Sequence, residues 1–157
     1  MSGSPALHIA LIHPEIGPNA GNAGRLCLGL GARLHLVHPL GFQTDDKAVR
    51  RAGLDYWRHV DVVEHESLEA FLDRMGGRRL HLFSSHGARR YTAPTYAPDD
   101  VLVFGRESVG LPAELVASHG GGLLIPMVGP TRSLNLSNAV AVAAYRAMQD
   151  IAPADFA

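Results

Sequence analysis

Short apolar runs alternate with helix-like segments along the whole chain. Residues 7–13, 34–37, 60–63, 80–84, 101–104 and 122–126 are apolar stretches bounded by glycine, proline or polar turns, and each predicts a strand. Residues 19–31 predict a helix, opened by the cap signal Pro18-Asn19 and stopped by Gly31. Residues 67–75 place Leu68, Phe71, Leu72 and Met75 at helical spacing behind a cap-like Ser67. A short charged segment over 45–52, a short helix over 111–118 with Pro112 in its first turn, and a long helix over 136–149 complete the pattern.

Strands that alternate with helices predict an α/β fold with a mostly parallel sheet and helices on both faces. Burial of both sheet faces explains strands that are continuous apolar runs instead of alternations. The boundaries predict one domain over residues 7–150, a flexible N-terminal tail over 1–6 and a C-terminal tail over 151–157. From Ala139 to Met148 only Arg146 is charged, so the last helix is apolar almost all round and must be buried. A subunit interface would bury it as well as a core would.

Composition narrows the classes. At 157 residues the chain is one domain by length, and it can bury a core without disulfide or metal staples. Charged residues make up 18%, below the roughly 25% of soluble domains, which suggests hidden surface. The net charge of −1 excludes a bulk polycation, so any nucleic acid would meet a local patch. The basic residues are one lysine, Lys47, and thirteen arginines. Arginine's planar fork suits phosphate, although coding bias alone would produce the same excess. The single cysteine, Cys27, excludes an internal disulfide and fits a reducing cytoplasm. No stretch approaches the roughly 20 apolar residues of a membrane span.

Three segments carry polar chemistry that a core does not require. The first runs from Pro14 to Arg25, where a strand turns through prolines into a helix start rich in free N–H groups. Asn19 and Arg25 are six residues apart, about 600° of helix, so they do not share a face if both are helical. Asn19 then reads as a cap or loop residue, with Arg25 projecting from the second turn; a plain cap and a surface charge would look the same. The second segment is Phe104-Gly105-Arg106-Glu107-Ser108-Val109-Gly110-Leu111-Pro112. Glutamate stands where a dinucleotide loop needs glycine and would repel a pyrophosphate, which rejects NAD binding. The third runs from Ile125 to Asn138, with Ser133, Asn135, Ser137 and Asn138 just before a helix, more polar groups than capping demands.

Other chemistries find no support. The nine histidines form no metal-ligand spacing and read as surface or satisfied residues. There is no phosphate-binding P-loop and no nucleophile elbow. Cys27, between Leu26 and Leu28, reads as packing.

The three segments together resemble the SPOUT (SpoU-type) RNA ribose 2′-O-methyltransferases, which use S-adenosylmethionine. The motifs stand in order: N-x-G-N-x-x-R at Asn19 to Arg25, F-G-x-E-x-x-G-L-P at Phe104 to Pro112, and I-P-M…S-L-N-L-S-N-A-V at Ile125 to Val140. The likeness spans residues 8–149. The stretch from Asp46 to Tyr56 resembles the small single-domain branch that methylates the wobble nucleotide of transfer RNA. The resemblance implies a C-terminal trefoil knot, which pattern alone would not suggest. It also implies a homodimer with an active site shared between subunits.

Carried over by residue, the resemblance implies that Phe83, Ser84, Gly105, Ile125, Ser133 and Leu134 bind the cofactor. It implies catalytic roles for Arg25, Asn19, Asn135, Glu107 and Ser133. RNA contact falls to Arg50, Arg51, Arg89 and Arg90, with Tyr145 matching a tyrosine of the wobble-methylating branch and Tyr56 or Trp57 available to stack a base. Gly17, Ala20 and His86 depart from that branch. The implied reaction is in-line transfer of a methyl group to a ribose 2′-oxygen, which needs geometry and activation of the hydroxyl but no metal. Arg25 would activate the hydroxyl itself or hold the adjacent phosphate. Glu107 would hold a partner's Arg25, orient it, or pair with Arg106. The implied partners are transfer RNA and a second copy of the chain, with no membrane. Ribosomal RNA as substrate, or a non-catalytic RNA-binding module, are the alternatives.

Overall fold

The structure is a computed structural model that describes residues 3–45 and 55–157. The sheet starts from β1 (His8–Ile12), a strand buried at every position. It pairs in parallel with β2 (Arg33–Val37) on one side and β6 (Val101–Phe104) on the other. Beyond them lie β3 (Val62–His65) and β4 (Leu80–Leu82), giving the order β3-β2-β1-β6-β4 with all strands parallel. The predicted α/β class therefore holds.

Two apolar layers cover the sheet. On one face α1 (Gly17–Leu30) and α4 (Leu136–Ile151) pack on Ile9, Leu11, Leu34, Leu36 and Leu102. On the other, α2 (Leu68–Met75) and the flank of α3 (Ala113–Ser118) cover Ala10, Ile12, Val101 and Val103. Ser67 caps α2 by accepting from the Ala70 N–H at 3.1 Å. The predicted helix over 19–31 begins two residues earlier, at Gly17, and Asn19 is not its cap. Pro18 sits in the first turn, where its missing N–H costs nothing, so the helix can start before Asn19. Gly31 ends it at φ 69°, the left-handed region glycine tolerates.

Several expectations are corrected. The last helix buries Val140, Ala143, Ala144, Ala147 and Met148 but exposes Val142 and Tyr145, 38% and 51% accessible, on its other side. The assigned tails are partly structured: Ala6 packs against the core and donates its N–H to Gly31 O. Ile151 closes α4, and α5 (Pro153–Phe156) sets the Phe156 ring edge-on to Tyr145. A second, two-stranded parallel ladder joins β5 (Arg89–Arg90) to β7 (Leu123–Leu124), extended by a bridge from Phe83 to Leu123. The strand expected over 80–84 ends at Leu82, where Phe83 bridges to Leu123, and the one expected over 122–126 is reduced to Leu123–Leu124 in this ladder, outside the main sheet. The helical segment expected over 45–52, with Arg50 and Arg51, lies outside the described residues except for Asp45.

A polar line crosses the α2 face. His8, His35 and His65 stand on β1, β2 and β3, all buried, with ring nitrogens 2.9 Å apart at each step. His8 Nε2 reaches Asp99 Oδ1 at 2.7 Å, and Arg78 donates to the other oxygen at 3.1 Å. Phe71 of α2 meets both His35 and His65 edge-on. These are satisfied histidines, as their spacing suggested.

Candidate active site

The C-terminal ends of β1 and β6 release the first two polar turns side by side, because the two strands are hydrogen-bonded neighbours. They are clasped by reciprocal carboxylates. Glu107, after β6, accepts from the backbone N–H of Glu15 at 2.8 Å and of Ile16 at 3.0 Å, and from Asn19 Nδ2 at 2.9 Å. Glu15, after β1, accepts from the Ser108 N–H at 2.8 Å. Burial pushes the Glu107 carboxyl up, but the donors from Asn19, Glu15 and Ile16 outweigh it and hold the group below its ordinary value. Glu107 is therefore an anionic anchor for the start of α1. Neither Arg25 nor Arg106 forms an ion pair with it among the described residues.

The third turn arrives from β7 and ends at α4. Asn135 occupies the N-cap position: its Oδ1 accepts from the Ser137 N–H at 2.9 Å and from the Ser137 hydroxyl at 2.7 Å. Capping thus claims its oxygen. Its amide nitrogen has no partner among the described residues. Gly105 is required for closure of the second turn, since a Cβ there would collide with the backbone of Gly110 and Leu111.

All three turns open on one cavity of about 970 Å³. Phe83 and Phe104 stack at 4.7 Å between ring centroids and form an apolar wall. Every residue expected to bind cofactor lines it: Phe83, Ser84, Gly105, Ile125, Ser133 and Leu134. Asn19, Glu107 and Asn135 line it as well. Backbone from glycine turns, apolar walls and a few hydroxyl and amide groups suit a nucleoside-bearing cofactor in both size and chemistry.

Some expected residues do not join them. Arg25 is exposed on α1, its guanidinium 5.9 Å from the centre of the Tyr56 ring, and it does not line the cavity of its own chain. Tyr145 is also outside it, on the exposed side of α4. Arg89 lines a separate cavity of about 320 Å³ with Arg79, His81 and His119, and Arg90 is exposed beside it on β5. Sequence reasoning passed over His86, Arg106 and Arg132 as lining residues. Arg106 and Arg132 stood inside the quoted motifs, so their position beside Gly105 and Ser133 was the available signal. Among the described residues no cluster of histidine, cysteine or carboxylate groups could hold a metal ion, and no helix is long and apolar enough to cross a membrane.

Two polar turns from neighbouring parallel strand ends and a third from β7 meet at one cavity, the place where open α/β sheets bind ligands. The SpoU rRNA methylase family matches residues 6–145, and the chain belongs to that family of methyltransferases. It is 45% identical over 147 residues to a tRNA (cytidine(34)-2′-O)-methyltransferase of Aeromonas hydrophila, covering 92% of this chain and 94% of that one. Its fold is similar to a structure solved to study the 2-OH methylation of C/U34 on tRNA, with a TM-score of 0.87 and 47% identity over 94% of this chain and 97% of the other. It is also similar to an AdoMet-bound rRNA methyltransferase from Sinorhizobium meliloti, with a TM-score of 0.79 and 25% identity over 94% of this chain and 57% of that one.

Proposed function

We propose that this chain transfers the methyl group of S-adenosylmethionine to a ribose 2′-hydroxyl of transfer RNA, at wobble nucleotide 34. The observation that carries the reading is the meeting of the Asn19, Glu107 and Ser133–Asn135 turns on one cavity. The near full-length likeness to enzymes of that activity supports the choice of substrate.

The cofactor, when bound, supplies an electrophilic methyl group on a sulfonium whose sulfide leaves neutral. The chain's own residues bind and orient the reacting groups. Phe83, Leu134 and Ile125 give an apolar seat, and Gly105 lets backbone approach closely. The free amide of Asn135 and the Ser133 hydroxyl orient polar groups at the α4 end of the cavity. Glu107 holds Asn19 and the start of α1, which sets the direction of the helix that carries Arg25. Arg25 then acts on the RNA bound at the partner subunit's cavity, where it holds the phosphate next to the reacting sugar or assists loss of the hydroxyl proton. A homodimer follows from that arrangement, and the buried free thiol of Cys27 suits the cytoplasm.

Incubation with labelled S-adenosylmethionine and bulk transfer RNA, followed by mapping of the labelled nucleotide, tests the reading. Label at the 2′-oxygen of nucleotide 34 supports it. Label confined to ribosomal RNA would redirect the substrate, and cofactor binding without any RNA label would leave only a binding module.

A further inference from the structure

The described arginines divide by what holds them. Arg33, Arg78, Arg79 and Arg146 each lie 3.1 Å or less from a carboxylate. Arg25 lies over Tyr56, and Arg58 donates to His59. Arg74, Arg89 and Arg90 have no side-chain partner among the described residues but do not line the active-site cavity; Arg106 and Arg132 have none either, and both are exposed and both line it. They approach from different turns, Arg106 after β6 and Arg132 just before the Ser133–Asn135 cap. Among the described residues the only carboxylate on the cavity wall, Glu107, is already engaged by Asn19 and two backbone N–H groups.

The cavity mouth thus carries two guanidiniums without a counter-ion among the described residues. Such a mouth recruits oxyanions, and the planar fork favours phosphate or carboxylate. Two sources are at hand, an RNA phosphodiester and the carboxylate of the methyl donor. The donor also carries a sulfonium and an ammonium, so its net charge is positive and two arginines disfavour it. Resting on the methyl-transfer reading above, we propose that Arg106 and Arg132 are positioning residues that hold the phosphates flanking the acceptor nucleotide. Its 2′-hydroxyl is thereby presented to the cavity between them. Fixing both flanks restricts the sugar to near-attack geometry, so the effect falls on turnover as well as on binding.

The test uses the full chain with transfer RNA, comparing wild type with Arg106→Ala, Arg132→Ala and Arg132→Lys. Initial rates are measured across salt concentrations, and cofactor binding by calorimetry. Each alanine variant should raise the KM for transfer RNA about tenfold and flatten the salt dependence of RNA affinity by about one phosphate contact. Cofactor affinity should be unchanged. Arg132→Lys should recover the salt slope but not full turnover, because an ammonium lacks the fork. Unchanged RNA affinity and salt slope in both alanine variants overturns the inference. So does weakened cofactor binding with an unchanged RNA slope, which would assign the arginines to the donor's carboxylate. If wild type transfers no methyl at all, the methyl-transfer reading fails. The salt slope of transfer RNA binding, taken by filter retention without turnover, then still decides the arginines.

Discussion

Asp99 dictates the proton positions of three imidazoles that are distant in sequence. Its carboxylate only accepts, so His8 Nε2 must donate to it. A neutral His8 then accepts at Nδ1 from His35 Nε2, and His35 accepts at Nδ1 from His65 Nε2. Burial lowers all three pKa values. His35 falls to about 3, with neighbouring His8 and His65 adding to the effect, and at His8 burial outweighs the bond to Asp99. These groups are neutral when folded but take up protons near pH 6.5 when unfolded. Their contribution is complete above pH 6.5 and is lost as pH falls from there, for His35 down to about 3. His35 should cost up to about 1.4 kcal/mol per pH unit in that window. Urea unfolding at pH 7, 6 and 5 should show a steadily falling midpoint, and His35→Asn should reduce that pH dependence. A second residue-scale expectation concerns Cys27, whose thiol burial pushes up to about 12. Thiol reagents at pH 8 should label it only at the rate of unfolding. The histidine line was invisible in the sequence because it depends on strand register, whereas the packing role of Cys27 was readable from its apolar neighbours.

Elements meet at glycines where side chains have no room. Gly24 of α1 lies under Trp57, and a Cβ there would stand 2.5 Å from Trp57 Cζ3. Gly24→Ala should lift the ring from the helix. Because Trp57 is the single tryptophan, its emission should move to longer wavelength and report the displacement alone. At Gly105 the obstruction is backbone, which cannot swing aside as a ring can. Gly105→Ala should abolish cofactor binding, seen by calorimetry, while the far-UV circular dichroism of the sheet persists. Strands and polar turns were legible at this scale, since buried parallel strands read as apolar runs and the turns concentrate glycine and asparagine. The β5–β7 ladder was not. Its β5 strand is two exposed arginines held by backbone hydrogen bonds, which no side-chain pattern announces.

In the whole molecule, the residue expected to do the chemistry and the cavity proposed for the cofactor stand apart. Arg25 is exposed on α1, and Val142 and Tyr145 of the neighbouring α4 are exposed too, with Leu28 of α1 at 42%. In the proposed homodimer these apolar groups are covered. Tyr145→Asp should yield a monomer by sedimentation and lose methyl transfer. Arg25→Ala should stay dimeric, bind cofactor and transfer no methyl; equal loss of binding and transfer would make Arg25 structural. The sequence motifs named the turns, and their six-residue spacing already separated Asn19 from Arg25 in helix phase; what spacing could not fix was that the helix starts at Gly17 and so includes both residues. The exchanged carboxylates of Glu15 and Glu107 have a mechanical corollary. Each loop is the latch of the other, so the amides of Glu15, Ile16 and Ser108 are all held by a carboxylate of the opposite loop. In hydrogen–deuterium exchange they should trade their protons in step, as one opening, and Glu107→Ala should release all three at once.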